Sequence, residues 1–279
     1  MKIKFIILVV ILIILMTLFN VISNSDGEVL FKPLELEVGE EFTSLKYDKP
    51  MYVLNYAIED VTGDNEKDMV IIIGERNLVA EDNMAKNIDV VVYEPTNNIF
   101  IKSGLKKCEG VSSKIITADV NGNQINDVIL LTENEDMTRN MRVITIENGI
   151  CKEIFKLKDN KSINMIGTFM DGFKAQLSAK KINYSTEIDL KDKKENYVTS
   201  GFYNENGKLA SDKKNITLSN FIEVELVELN NQYGIKTSQY LKGFDNLDIL
   251  DQINIIWKYE NGEWKIKEAE GENLGNLLY

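Results

Sequence analysis

Between residues 51 and 157 the chain passes twice through the same order of short apolar runs and polar turns, at a pace too fast for helices. Residues 51–59, 69–75, 88–94 and 99–102 form one set of strand candidates, and residues 113–118, 128–133, 141–147 and 150–157 form a second. Asn97-Asn98 and Asn148-Gly149 stand between the third and fourth runs of each set, where a hairpin needs residues that tolerate positive φ. Four antiparallel strands repeating every 50 to 60 residues or so is the arithmetic of propeller blades. The expectation is an all-β fold.

A sharper likeness lies between the first and second runs of each set. Asp60-Val61-Thr62-Gly63-Asp64-Asn65-Glu66-Lys67-Asp68 in one corresponds to Asp119-Val120-Asn121-Gly122-Asn123-Gln124-Ile125-Asn126-Asp127 in the other. Both place oxygen-bearing side chains at positions 1, 3, 5 and 9 and glycine at position 4. Alternate oxygens on a tight loop converge on one point, which suits a hard cation that takes six to eight oxygen ligands. An EF-hand would carry a bidentate glutamate at position 12, where Ile71 and Leu130 stand, and would be flanked by helices. Asn, Asp and Gly also build turns without any metal, so each loop has a plain Asx-turn reading beside the cation reading. Charge favours the first loop, with Asp60, Asp64 and Asp68 against Asp119 and Asp127 in the second.

These segments closely follow the pattern D-x-D/N-x-D/N-G-x-x-D, and on that ground the chain resembles the FG-GAP, or VCBS-like, repeat family of calcium-binding β-propellers. Its glycine stands at position 4 instead of 6, where Asn65 and Gln124 occur. The resemblance implies that each loop joins the first two strands of a blade and binds calcium through side chains at 1, 3, 5 and 9 and a backbone carbonyl at 7. The ligands so implied are Asp60, Thr62, Asp64 and Asp68 with the Glu66 carbonyl, and Asp119, Asn121, Asn123 and Asp127 with the Ile125 carbonyl. Weaker echoes follow. Residues 163–169 and 173–179 flank Met170-Asp171-Gly172, and residues 221–229 and 235–240 flank Asn230-Asn231-Gln232-Tyr233-Gly234. Asp60, Asp119, Asp171 and Asn230 are spaced by 59, 52 and 59 residues, and a last hairpin turns at Asn261-Gly262. The fold expected is a small four- or five-bladed β-propeller over residues 45–279, with residues 25–44 as a linker and possible ring-closing strand.

Residues 5–19 read FIILVVILIILMTLF, preceded by Lys2 and Lys4 and followed by Asp26 and Glu28. Extended through Ile22 the run reaches 18 residues, just long enough to span a bilayer as a helix. The lysines orient its N-terminus to the cytoplasm and the rest of the chain outward. A cleaved signal peptide is the alternative, but Val21-Ile22-Ser23 makes a poor cleavage site. Residues 1–24 are therefore expected as a signal-anchor of a single-pass cell membrane protein whose bulk is extracytoplasmic, or secreted if the segment is cleaved. In that setting Cys108 and Cys151 either pair or remain buried thiols.

The chain has no histidine, which removes Ser-His-Asp and Cys-His nucleophiles, His-ligated zinc and imidazole acid–base chemistry. Its net charge of −12 leaves no basic footprint for a nucleic acid and favours divalent cations. Ser103-Gly104-Leu105-Lys106 and Ser211-Asp212-Lys213-Lys214 match S-x-x-K but open no expected helix, so they read as solvated turns. The 191–195 run KDKKE reads as loop surface, and Tyr184, Tyr197, Phe202 and Tyr203 as core or cross-strand pairs. The leading expectation is a membrane-anchored binding or scaffold domain, without catalysis, in which calcium stiffens the loops. The resemblance implies that one face meets an unknown protein or carbohydrate partner. The alternative is a carbohydrate-active hydrolase or lyase using paired carboxylates, chemistry that needs no histidine.

Overall fold

Val70, Ile71, Ile72 and Ile73 are all fully buried, which consecutive strand residues achieve only when both faces of their sheet are covered. They lie on β2 (Asp68–Arg76), between β1 (Tyr52–Glu59) and β3 (Ala85–Glu94), with β4 (Ile99–Lys102) completing an antiparallel four-stranded meander. β5 (Ser112–Ala118), β6 (Asp127–Glu133), β7 (Arg139–Glu147) and β8 (Ile150–Phe155) repeat that order. Both sets of strands stand where the apolar runs and turn residues placed them. The computed structural model describes residues 34–76, 84–212, 215–230 and 232–278. The expected signal-anchor over residues 1–24 lies outside them, and among the described residues no helix is long and apolar enough to cross a membrane.

The period-2 alternation of side chains sorts these strands into three successive cores. Val70, Ile72, Val90 and Val92 face Val128, Leu130, Ile144 and Ile146, so the two meanders pack face to face. The outer face of the first, with Met69, Ile71, Ile73 and Val91, is covered by Phe42, Leu34, Leu36 and Leu45. The outer face of the second, with Ile129, Leu131, Met141 and Val143, packs on Phe155, Phe221, Ile235 and Trp257.

The C-terminal part departs from the repeat. It comprises β9 (Ile166–Met170), β10 (Lys174–Ala179), β11 (Tyr184–Asp189), a short helix α1 (Lys194–Thr199), β12 (Asn215–Leu229), β13 (Gln232–Lys242), β14 (Ile249–Glu260), β15 (Glu263–Gly271) and β16 (Gly275–Asn276). These strands form one antiparallel sheet in the order β11-β10-β9-β12-β13-β14-β15-β16. Residues 215–217 of β12 pair with β9, the rest of the strand follows β13, and Phe221 alone pairs with Arg139 of β7. That contact makes β5 to β16 a single twelve-stranded sheet.

The expected propeller is therefore corrected: the fold is all-β and antiparallel, but among the described residues the sheets are open and no ring closes. The physical reason is β12. By pairing with both β9 and β13 it fuses the third and fourth strand sets into one sheet, so these two cannot stand as separate blades of a ring. Residues 34–44, part of the segment considered for ring closure, instead cover the first sheet together with Leu45, with Glu41 bridging Tyr52. Phe169, Tyr197, Phe202 and Tyr203 form an edge-to-face aromatic cluster in the C-terminal core. The Tyr197 hydroxyl there donates to Asp248 Oδ2 at 2.7 Å, and Lys193 Nζ donates to Asp248 Oδ1 at 2.7 Å, which ties α1 down.

Candidate metal centre

Each Asx loop spans the turn between the first two strands of its meander, β1 to β2 and β5 to β6. Positions 4 and 6 are left-handed in both: Gly63 and Asn65 have φ of 81° and 66°, Gly122 and Gln124 of 80° and 70°. Asn65 and Gln124 thus keep the backbone that the motif ordinarily assigns to glycine, at some steric cost for the larger Gln124.

The acids at positions 1 and 9 hold both loops by accepting backbone N–H groups. Asp60 accepts from Gly63 at 2.7 Å and Asn65 at 3.0 Å, and Asp119 accepts from Gly122 at 2.7 Å and Gln124 at 2.8 Å. Asp68 Oδ2 accepts from Val61 at 2.9 Å and Thr62 at 3.0 Å, and Asp127 Oδ2 from Val120 and Asn121, both at 3.0 Å. At position 5, Asp64 accepts from Glu66 and Asn123 from Ile125.

The two loops differ in what meets the second oxygen of the position-9 carboxylate. In the second loop Asn121 Nδ2 donates to Asp127 Oδ1 at 2.9 Å and to Thr145 Oγ1 of β7 at 3.0 Å, while its Oδ1 accepts from the Asn123 N–H. The Asn123 contact fixes which way the amide points. In the first loop Thr62 stands where Asn121 does, and both Thr62 Oγ1 and Asp68 Oδ1 are buried without a hydrogen-bond partner. The Thr62 hydroxyl lies beside the carboxylate without reaching hydrogen-bond geometry. Burial pushes the Asp68 carboxyl above its usual range, against the opposing pull of the Val61 and Thr62 N–H groups. A buried carboxylate oxygen with no donor is costly, and a cation is one way to satisfy it. Among the described residues no three acidic, histidine or cysteine side chains are drawn together as a ready metal cluster. The Glu66 and Ile125 carbonyls keep their places at position 7 of each loop.

Ile125 has a role that position counting missed: a Cβ placed on Gly63 would run into its Cδ1, so the second loop closes over the first. The second loop in turn meets the β12–β13 turn. Gln232 Nε2 donates to the Val120 carbonyl at 3.0 Å and the Tyr233 N–H to the Asp119 carbonyl at 3.0 Å. The glycine at position 4 of each loop is where these neighbours come close, and nothing local in the sequence named them. Cys108 and Cys151 are both free thiols in the core between the first two sheets.

Residues 163–271 match the family described as the YybI C-terminal domain. That match covers the stretch holding Asp171 and Asn230, and together with the open sheets it overturns the resemblance to FG-GAP or VCBS-like repeats. Comparison with curated proteins returned no match. Among solved structures, the chain is similar to the exotype rhamnogalacturonan lyase YesX, with 11% identity and a TM-score of 0.34 over 86% of this chain and 36% of that one. It is also similar to the rhamnogalacturonan lyase PL11 of Bacillus licheniformis, with 9% identity and a TM-score of 0.35 over 86% of this chain and 38% of that one. The chain thus spans little more than a third of each lyase, and likeness at this level bears on neither activity nor site.

Proposed function

We propose that the protein is a membrane-anchored, extracytoplasmic binding or scaffold module in which one calcium ion stiffens the first Asx loop. The observation that carries this reading is the buried, unpartnered pair Asp68 Oδ1 and Thr62 Oγ1. Asp60 and Asp64 of the same loop would add carboxylate oxygens, and an ion there would relieve their mutual repulsion and order the turn. The second loop needs no ion, because the Asn121 amide already supplies the donor to Asp127. The apolar run and lysine flank of residues 1–24 support the anchored, outward-facing part of the reading.

The test is thermal unfolding of the full chain in a mild detergent, with calcium, with magnesium, and with neither. Calcium at ten times its dissociation constant should raise the melting temperature by about 3–5 °C, and magnesium by less. Asp64→Ala should abolish the shift and Asn123→Ala should leave it intact. No shift at any calcium concentration, or one that survives Asp64→Ala, would overturn the assignment.

A further inference from the structure

β12 carries two bulges, one on each side of Phe221, where it leaves β9 and meets β7. Bulges re-aim side chains and gather beside binding sites. Here Ser219 repairs the broken ladder: its Oγ accepts the Tyr240 N–H at 3.0 Å, and its carbonyl accepts from buried Gln239 Nε2 at 2.5 Å. Beside the bulge opens a cleft of about 380 Å³, within the range of small-ligand sites.

Part of the cleft lining comes from a turn held in a costly conformation. Ser162 and Asn164 have φ of 54° and 53°, a region that residues other than glycine seldom occupy. Lys181 secures the turn from beneath. Its Nζ donates to the Ser162 carbonyl at 3.1 Å and sits 5.1 Å from the Trp257 ring centroid. The turn thereby presents Lys161 and Asn164 to the cleft, which Thr217 and Asn220 of β12 also line. Asn140 of β7 adds another amide, oriented by donation to Asn134 Oδ1 at 3.0 Å, and Ile166, 49% exposed, supplies apolar surface.

We infer that this cleft binds a sugar, as one or two rings of a carbohydrate chain. Side-chain amides offer a donor and an acceptor at fixed separation, which matches neighbouring hydroxyl groups, and Ile166 matches the C–H face of a ring. Among the described residues the side chains of Asn164, Asn220 and Thr217 spend none of this capacity on intramolecular hydrogen bonds. No carboxylate lines the cleft among the described residues, which in a chain with 44 acids sets it apart from the general surface. That absence disfavours a cationic ligand and supplies no acid–base pair for cleavage, so the site binds without hydrolysing. An extended peptide would gain most from a free sheet edge, whereas β9, β12 and β13 are already paired here. The inference rests on the binding-module reading but not on its metal loop.

The experiment is calorimetric titration of the full chain in a sugar-free polyoxyethylene detergent with cellotetraose, N-acetylchitotetraose and acetyl-tetraalanine amide. At least one of the two sugars should bind, and Asn220→Ala and Asn164→Gly should each weaken it about tenfold, the loss of one hydrogen bond. Glycine at 164 keeps the left-handed backbone, so the fold is retained, which an unchanged melting temperature verifies. The inference is overturned if neither sugar binds, if only the peptide binds, or if binding survives both substitutions. Calcium-dependent melting of the same samples separates this failure from failure of the metal assignment.

Discussion

Asp127 is fully buried, and burial pushes its carboxyl up to about 6, although the Thr145 hydroxyl and the Val120 and Asn121 N–H groups favour the charged form. An unfolded aspartate titrates near 3.9, so between about pH 4 and 6 the native chain holds more proton at this site than the unfolded one. Its contribution to stability is therefore greatest below that window and is lost as pH rises through it, by roughly 3 kcal/mol. Denaturant unfolding at a series of pH values should show this slope in the native protein and a flatter one in Asp127→Asn. That variant should also lose about 1–2 kcal/mol near pH 5, because an amide at 127 would set N–H against the Asn121 N–H. At this scale the sequence was most legible where side chain and loop position coincide, as at Asp60, Asp68, Asp119 and Asp127, all of which hold their loops. It was silent on Thr145, which follows Ile144, the partner of Val128 in the register of β6 and β7, and so comes within reach of Asn121.

Strands were legible where β-branched runs end in Asn-Gly or Asn-Asn turns, so β1 to β8 lie within a few residues of their expected places. β12 was legible only from Phe221 onward. Its earlier residues, Asn215-Ile216-Thr217-Leu218-Ser219-Asn220, look like the polar end of a loop, because the bulges interrupt the alternation that identifies a strand. Charged residues 191–195 likewise read as loop surface, yet they enter α1, a helix too short to show a period of its own. The repair of the bulge by one hydroxyl is open to test. Ser219→Ala removes the acceptor of the Tyr240 N–H, and should cost about 1 kcal/mol and speed hydrogen exchange at Tyr240 more than at Thr237, which lies beyond the bulge.

The order of sheets could not be read from local pattern, since it turns on which neighbours β12 chooses across the whole chain. The sheet interface that results shields both thiols. Burial raises Cys108 to about 11 and Cys151 to about 12, so neither is a ready thiolate at neutral pH. Labelling by a thiol reagent at pH 8 should be slow in the native protein and should accelerate with denaturant in step with separation of the first two sheets. Fast labelling of Cys108 without denaturant would mean that this interface opens readily.

The bond from Arg139 Nη1 to the Ile222 carbonyl joins positions 83 apart, whereas each meander before it closes through neighbours in the chain. Contacts between distant positions form late, because a long loop must first be closed. A chain made from its N-terminus completes its first two meanders while β12 is still unmade, and Ile129, Leu131, Met141 and Val143 then have no partner layer. During that interval the nascent protein carries a bare apolar face, and this is where self-association or chaperone capture during biogenesis would begin.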